Sequence, residues 1–213
     1  MSTALSDEMH TSELRIVPAN EAPFADVEAV FGTKGDPAHC WCQWYKIPGK
    51  DWRAVGDESL HDRLAAQLST SRTAPGLLAY DGETPVGWCA LEPRPAYPRL
   101  LQSTIVGATS ETDLDDPAVW AVTCFVVPRA YRKRGVGKAL AEAAVEFARE
   151  HGARVLEAYA IDHLARPGVP AADLFHGTVT MFLHAGFVEV ARPKPDRAVM
   201  QLRFDDAGAK RGA

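Results

Sequence analysis

Apolar and polar residues change period repeatedly along this chain, and each change predicts an element. Residues 14–17 alternate, as in a short strand that opens a sheet. Over residues 21–31 the apolar positions Phe24, Val27, Val30 and Phe31 recur at helical spacing. Residues 32–52 break the pattern, with glycines and prolines around the cluster His39-Cys-Trp-Cys-Gln-Trp-Tyr45. A second helix is predicted over 59–69, capped by Ser59 and carrying Leu60, Leu64 and Leu68 on one face. Apolar runs at 76–80 and 85–91 flank Asp81-Gly82-Glu83-Thr84, and Asp-Gly between two such runs signals a hairpin. Residues 92–116 read as a Pro-rich loop with a short helix near 99–103.

The second half is more regular. Residues 119–127 form an almost unbroken apolar run, the pattern of a strand covered on both faces. Val136, Leu140, Ala143, Ala144 and Phe147 line one side of a helix over 135–151, which Gly152 ends. A strand at 154–161, a Pro/Gly loop to 170, a helix over 174–184 and strands at 187–191 and 199–204 complete the order. Hairpins combined with a strand-helix-strand unit imply an α/β fold with a mixed sheet flanked by helices. The expected domain spans 13–204, with a disordered N-terminus at 1–12 and a flexible tail at 205–213.

Composition changes this picture little. Of the 213 residues 46% are hydrophobic and 24% charged, enough for a sizeable core. No run approaches the roughly 18 consecutive apolar residues of a membrane helix. The opening residues lack a basic segment followed by an apolar one, so a cytoplasmic chain is expected. There Cys40, Cys42, Cys89 and Cys124 are expected as reduced thiols. A net charge of -5 argues against a nucleic-acid partner and mildly suits a cationic ligand such as an amine. His39, Cys40 and Cys42 lack the second downstream pair that a structural zinc site needs, and no metal is expected.

The most informative segment follows the buried run: Val126-Val127-Pro128-Arg129-Ala130-Tyr131-Arg132-Lys133-Arg134-Gly135-Val136-Gly137-Lys138. A strand ends, a basic glycine-containing turn follows, and a helix begins. The first amides of a helix have no internal partner and sit at the positive end of its dipole. Glycines admit a phosphate to those amides, and Arg132, Lys133 and Arg134 add charge. A P-loop is excluded because its glycine and hydroxyl positions are here Arg132 and Ala139. A dinucleotide fingerprint is excluded because its third glycine falls on Leu140.

Arg132-x-x-Gly135-x-Gly137 after a Val-Val-Pro strand end resembles the phosphate-binding motif of the GNAT superfamily of N-acetyltransferases. Phe182-Leu-His-Ala-Gly-Phe187 is similar to a later segment of that family, and the resemblance runs over 14–204. It implies a partly splayed sheet and acetyl-CoA as co-substrate. The amides and side chains of Arg132, Lys133, Arg134, Gly135, Val136, Gly137 and Lys138 would hold the pyrophosphate. Main-chain groups of Phe125, Val126 and Val127 would pair with the pantetheine arm, with Phe182 beside the thiol end. A primary amine, on a small molecule or peptide, would attack the acyl carbonyl directly in a ternary complex. A backbone amide of the central strand would stabilise the oxyanion. No membrane partner is implied, and a homodimer is left open.

Phe182 departs from the family, which often has a Tyr there as proton donor. Substitutes considered are His163, Tyr159 and Thr178, with Asp162 and His176 beside them. Thr178 equally suits helix capping. Trp41, Trp44 and Tyr45 suit either an acceptor-pocket lining or plain core packing. Cys124 suits an acyl-carrying nucleophile or a buried structural thiol, and no base is evident beside it. A catalytically weak acyl-CoA-binding sensor is the alternative to an enzyme.

Overall fold

A computed structural model describes residues 14–108, 111 and 113–204. The disordered ends expected at 1–12 and 205–213 lie outside those residues. Seven strands form one sheet: β1 (Arg15–Pro18), β2 (Gly76–Asp81), β3 (Thr84–Pro93), β4 (Val119–Val126), β5 (Val155–Ile161), β6 (Val188–Lys194) and β7 (Arg197–Arg203). Their order is β1-β2-β3-β4-β5-β7-β6, and only β4 and β5 run parallel. The sheet is mixed, as the order of apolar runs predicts.

The helices are α1 (Phe24–Phe31), α2 (Asp36–Cys40), α3 (Asp57–Thr70), α4 (Pro98–Leu101), α5 (Val136–Glu150) and α6 (Val179–His184). Every residue of β4 and β5 is buried because both faces are covered. On one face, α5 sets Val136, Leu140, Ala144 and Phe147 against Cys89, Leu91 and Val122. Burying such side chains stabilises the fold by ~1.5–3 kcal/mol for each large one. On the other face, α1 and α3 cover Leu78, Trp88 and Val126. Tyr97, Leu100 and Val106 cover Ala121, Tyr159 and Val199 there. Tyr45 packs against this last cluster.

The structure corrects several expected boundaries. Helix α3 starts earlier, after an extended Gly56, so Ser59 lies within it and is not its cap. The helix expected over 174–184 is broken. A 3-10 turn, Asp173–His176, stops at Gly177, whose φ of 77° reverses the chain, and α6 starts after Thr178. A Cβ on Gly177 would lie 2.5 Å from Met181 Cε and 2.7 Å from Phe182 Cε2, so glycine is required twice over. Strands β6 and β7 meet in a tight turn at Pro195-Asp196, which makes Arg197 the first residue of β7. Strand β3 continues to Pro93 and takes Glu92 out of the expected loop.

Candidate active site

Pairing between β4 and β5 runs only from Val119↔Val155 to Val122↔Ala158. Both strands continue beyond it, to Val126 and Ile161, but they no longer pair. The cause is local. Ala90 faces Cys124 while Leu91 faces Val122, so Thr123 is an extra residue in β4 that bulges and bends the strand. The result is a fork. The β5-facing edge of β4 from Thr123 onward has no strand partner among the described residues. On the opposite prong, Ile161 N–H donates to Gly177 O at 3.0 Å, and the Asp173–His176 turn packs toward β4.

Past the end of β4 the chain makes a 3-10 turn, Arg129–Tyr131, and enters α5. Lys133 (φ 61°) and Gly135 (φ 83°) are both left-handed. No side chain caps α5, and its first backbone bond is Ala139 N–H to Gly135 O at 3.0 Å. The amides before it remain available to an anion. A Cβ built on Gly135 meets no atom within 4 Å, so the approach to those amides is open. This arrangement of amides, glycines and exposed cations fits a diphosphate. Arg132 folds back and donates through Nε to Val127 O at 2.9 Å, fixing the strand end to the turn. Arg134 pairs with Asp81 at 3.2 Å and Lys138 with Glu142 at 3.8 Å; all these cations stay exposed. The Val136 side chain is core, so only its amide faces this role.

On the face of the sheet opposite α5, the Tyr45 hydroxyl lies 3.4 and 3.5 Å from the two ring nitrogens of His176. Burial pushes the Tyr45 pKa up to about 12 and the His176 pKa down to about 3, so both are uncharged near neutrality. The positive charges of Arg197 and Arg99 act on Tyr45 against that upward shift. Cys124 is just beyond the last β4–β5 pair, which puts this group at the fork.

Other expected site residues take different places. Trp41 stacks on Phe31, with centroids 5.0 Å apart, and belongs to the core. Trp44 is 41% exposed, meets Trp52 edge-on at 4.9 Å and carries the Arg99 guanidinium at 3.7 Å. Phe182 is wholly buried, edge-on to Phe125 at 5.9 Å and to Phe187 at 5.0 Å, so its ring packs beneath β4. Tyr159 donates its hydroxyl to Glu157 at 2.6 Å inside the core. Thr178 caps α6, its Oγ1 accepting from Met181 N–H at 3.3 Å. Asp162 is held by Arg192 at 2.7 Å. His163 is half-buried after β5, with Nδ1 lacking a partner among the described residues. Cys124 and Cys42 are both buried, and burial pushes the Cys42 thiol well up, which is the chemistry of structural thiols. All four cysteines are free. Among the described residues no group of three or more His, Cys, Asp or Glu converges as for a metal, and no helix is long and apolar enough to cross a membrane. Sequence reasoning missed the Tyr45–His176 contact and both Arg99 and Arg197. No spacing links them, since they come from four separate segments.

The mixed sheet, forked beside an uncapped helix N-terminus, matches solved acetyltransferase structures in fold, and the family follows from the sequence match. The chain belongs to the acetyltransferase (GNAT) family, whose model matches residues 41–175. None of the curated proteins matches the sequence. Among solved structures, yncA from Salmonella typhimurium, in complex with its cofactor acetyl-CoA, is similar at 16% identity and a TM-score of 0.52. That match covers 94% of this chain and 99% of the other. A GCN5-related N-acetyltransferase from Kribbella flavida is 18% identical with a TM-score of 0.50, over 90% of this chain and 98% of its own. At such identities the likeness is one of fold.

Proposed function

We propose that this protein transfers an acetyl group from acetyl-CoA to a primary amine, by direct attack at the β4–β5 fork. The observation that carries the reading is the unpaired edge of β4 leading from the fork to the uncapped start of α5. Acetyl-CoA supplies the activated acyl group as a thioester. The amides of Lys133 to Lys138 hold its pyrophosphate, with the charges of Arg132, Lys133 and Arg134 around them. Phe125, Val126 and Val127 offer main-chain groups along the free edge, as a sheet accepts an added strand. Tyr45 takes the part that Phe182 cannot. Its hydroxyl is protonated near neutrality and gives its proton to the departing thiolate, the tyrosinate takes up the proton that the acylated nitrogen sheds, and neutral His176 orients it. His163, near the end of β5, is placed on the acceptor side with no assigned step.

Titration with acetyl-CoA followed by thermal unfolding tests the cofactor. At 100 times its dissociation constant the ligand adds ~2.7 kcal/mol of stability. Arg132→Glu and Gly135→Glu are expected to lose that shift, and no shift in the unmodified protein at millimolar ligand sinks the reading. The absence of a hydroxyl on Phe182 favours the alternative, a CoA-binding sensor. Thiol release on an amine panel separates the two, since a sensor binds without turnover.

A further inference from the structure

Arg94, Arg99 and Arg197 are the arginines among the described residues that are withdrawn from full exposure. Arg94 is paired with Glu157 at 3.1 Å. Arg99 and Arg197 have no carboxylate partner among the described residues. Arg99 Nη1 and Arg197 Nε are buried with no hydrogen-bond partner there. The acidic residues nearest in charge to Arg197, Asp196 and Asp173, are bound instead by Arg166, at 3.7 and 3.0 Å. Burial lowers both guanidinium pKa values, as expected of cations removed from water without a counter-ion.

Their positions are fixed. Arg99 is the second residue of α4, its backbone N–H donates to Tyr45 O at 3.1 Å, and its guanidinium lies 3.7 Å from the Trp44 ring and 5.2 Å from Trp52. Stacking holds the guanidinium plane and leaves its edge for a planar oxyanion. Arg197, opposite Ile161 in the β5–β7 ladder, spends Nη2 on Tyr159 O at 3.2 Å. Arg99 is thus bonded to the Tyr45 backbone and Arg197 to that of Tyr159, both rings belong to one apolar cluster, and the Tyr45 hydroxyl meets His176 at the fork. The chain is acidic overall, with a net charge of -5, but this corner carries the opposite sign.

We propose that the acceptor is an amine that also bears a carboxylate, that is, a free amino acid, with Arg99 and Arg197 holding the carboxylate beside Tyr45. This rests on the acyltransferase reading of the same fork. The pyrophosphate cradle at the start of α5 is a different part of the chain, so these arginines form a second oxyanion site. A carboxylate there neutralises two half-buried cations and turns the neighbouring amine toward the fork. A peptide N-terminus has an amide where this site needs a charge, so it is discriminated against. The hydrogen-bonding groups left unpaired are what give such a site its selectivity.

The test uses the full chain, Arg99→Gln and Arg197→Gln, and a panel of L-amino acids, each with its own carboxamide, decarboxylated amine and a dipeptide. Thiol release from acetyl-CoA is expected to favour the acids by at least about tenfold in kcat/KM over the neutral partners. Each substitution is expected to remove that preference while the thermal shift by acetyl-CoA stays unchanged. As a readout without turnover, N-acetylated amino acids are expected to add a thermal shift to the CoA-loaded protein that both variants lose. Carboxamides used as well as acids, a preference that survives both substitutions, or no shift with any acid overturns the proposal. Loss of the acetyl-CoA shift in the variants also overturns it, by making the arginines cofactor ligands. If acetyl-CoA does not bind even the unmodified protein, the acyltransferase reading falls. An amino-acid shift in the free protein that depends on both arginines then still supports the anion site, and its absence overturns it.

Discussion

Folding strips His176 of its charge. Its ring is 9% exposed, in the turn before Gly177, and burial pushes its pKa down to about 3, from about 6.5 in an unfolded chain. The sign follows from linkage. Between these values the unfolded chain binds a proton that the native one refuses, so the native state loses stability as pH falls below about 6.5. The loss is about 1.4 kcal/mol per pH unit for one full proton. Urea unfolding from pH 7 to 4 is expected to show this slope, and His176→Asn to flatten it; identical slopes in the two proteins would refute the assignment. His61 acts oppositely. Glu28 and Asp62 raise its pKa, so its contribution is present below about 6.5 and fades as pH rises through the folded value. It is near the surface, and screening keeps that contribution small. At this scale the motif from Arg132 to Gly137 was legible, because it is contiguous and its glycine requirement is a property of one backbone position. Phe182 was not. Its place in the motif suggested contact with a ligand, but whether a ring faces a site or a core is set by the sheet beneath it.

At the scale of elements, α5 is where sequence and packing agree most closely. Of the predicted face of Val136, Leu140, Ala143, Ala144 and Phe147, all are buried except Ala143, which is partly buried, and Gly152 ends the turn that follows at φ 78°. The reason helix α5 sits so near the sheet is Gly87 of β3. A Cβ there would be 2.5 Å from Val136 Cγ1 and 3.0 Å from Leu140 Cδ1. Gly87→Ala is therefore expected to destabilise the protein by ~1–3 kcal/mol through overpacking. A lower urea midpoint at unchanged m-value is the check, and an unchanged midpoint would mean the helix shifts without cost. The broken helix at 173–184 teaches the converse. Apolar spacing continued through Gly177, but the chain leaves helical geometry there so that Gly177 O can meet Ile161 N–H across the fork. The β6–β7 turn is also shorter than the apolar pattern implies, because the alternation at Arg192 to Lys194 is polar on an edge strand.

At the scale of the whole molecule, a buried charge holds the long connection before β4 to the sheet. Arg94 donates to Glu157 at 3.1 Å and to Glu111 O at 3.1 Å, both out of water, and to Asp113 O at 2.5 Å in a partly buried position. Glu157 also accepts from Tyr159 and from Gln201 at 2.7 Å, and Glu111 ties Arg154 and Arg203 to the same connection. Arg94→Met leaves Glu157 charged, buried and short of its partner, which is expected to cost ~3–5 kcal/mol. Adding Glu157→Leu is expected to recover most of it, and equal stability of the single and double variants in urea would contradict the pairing. Because Tyr97, Leu100 and Arg99 all ride on this connection, the network also positions the corner where the amino-acid carboxylate is proposed to sit.

The sequence by itself determined the mixed α/β class, the hairpin, the twice-covered β4 and the basic, glycine-containing turn that opens α5. Each depends on a period or on residues adjacent in the chain, so the physics that selects it is local. Only the tertiary structure decided that β4 and β5 part after Val122, and that Phe182 and Tyr159 belong to the core. It alone brought Tyr45, Arg99, His176 and Arg197 to one corner. Those outcomes depend on strand register, on a single extra residue at Thr123, and on which polar atoms remain unpaired once all neighbours are placed. A buried atom's lack of a partner is a property of everything packed around it, and no window along the chain contains it.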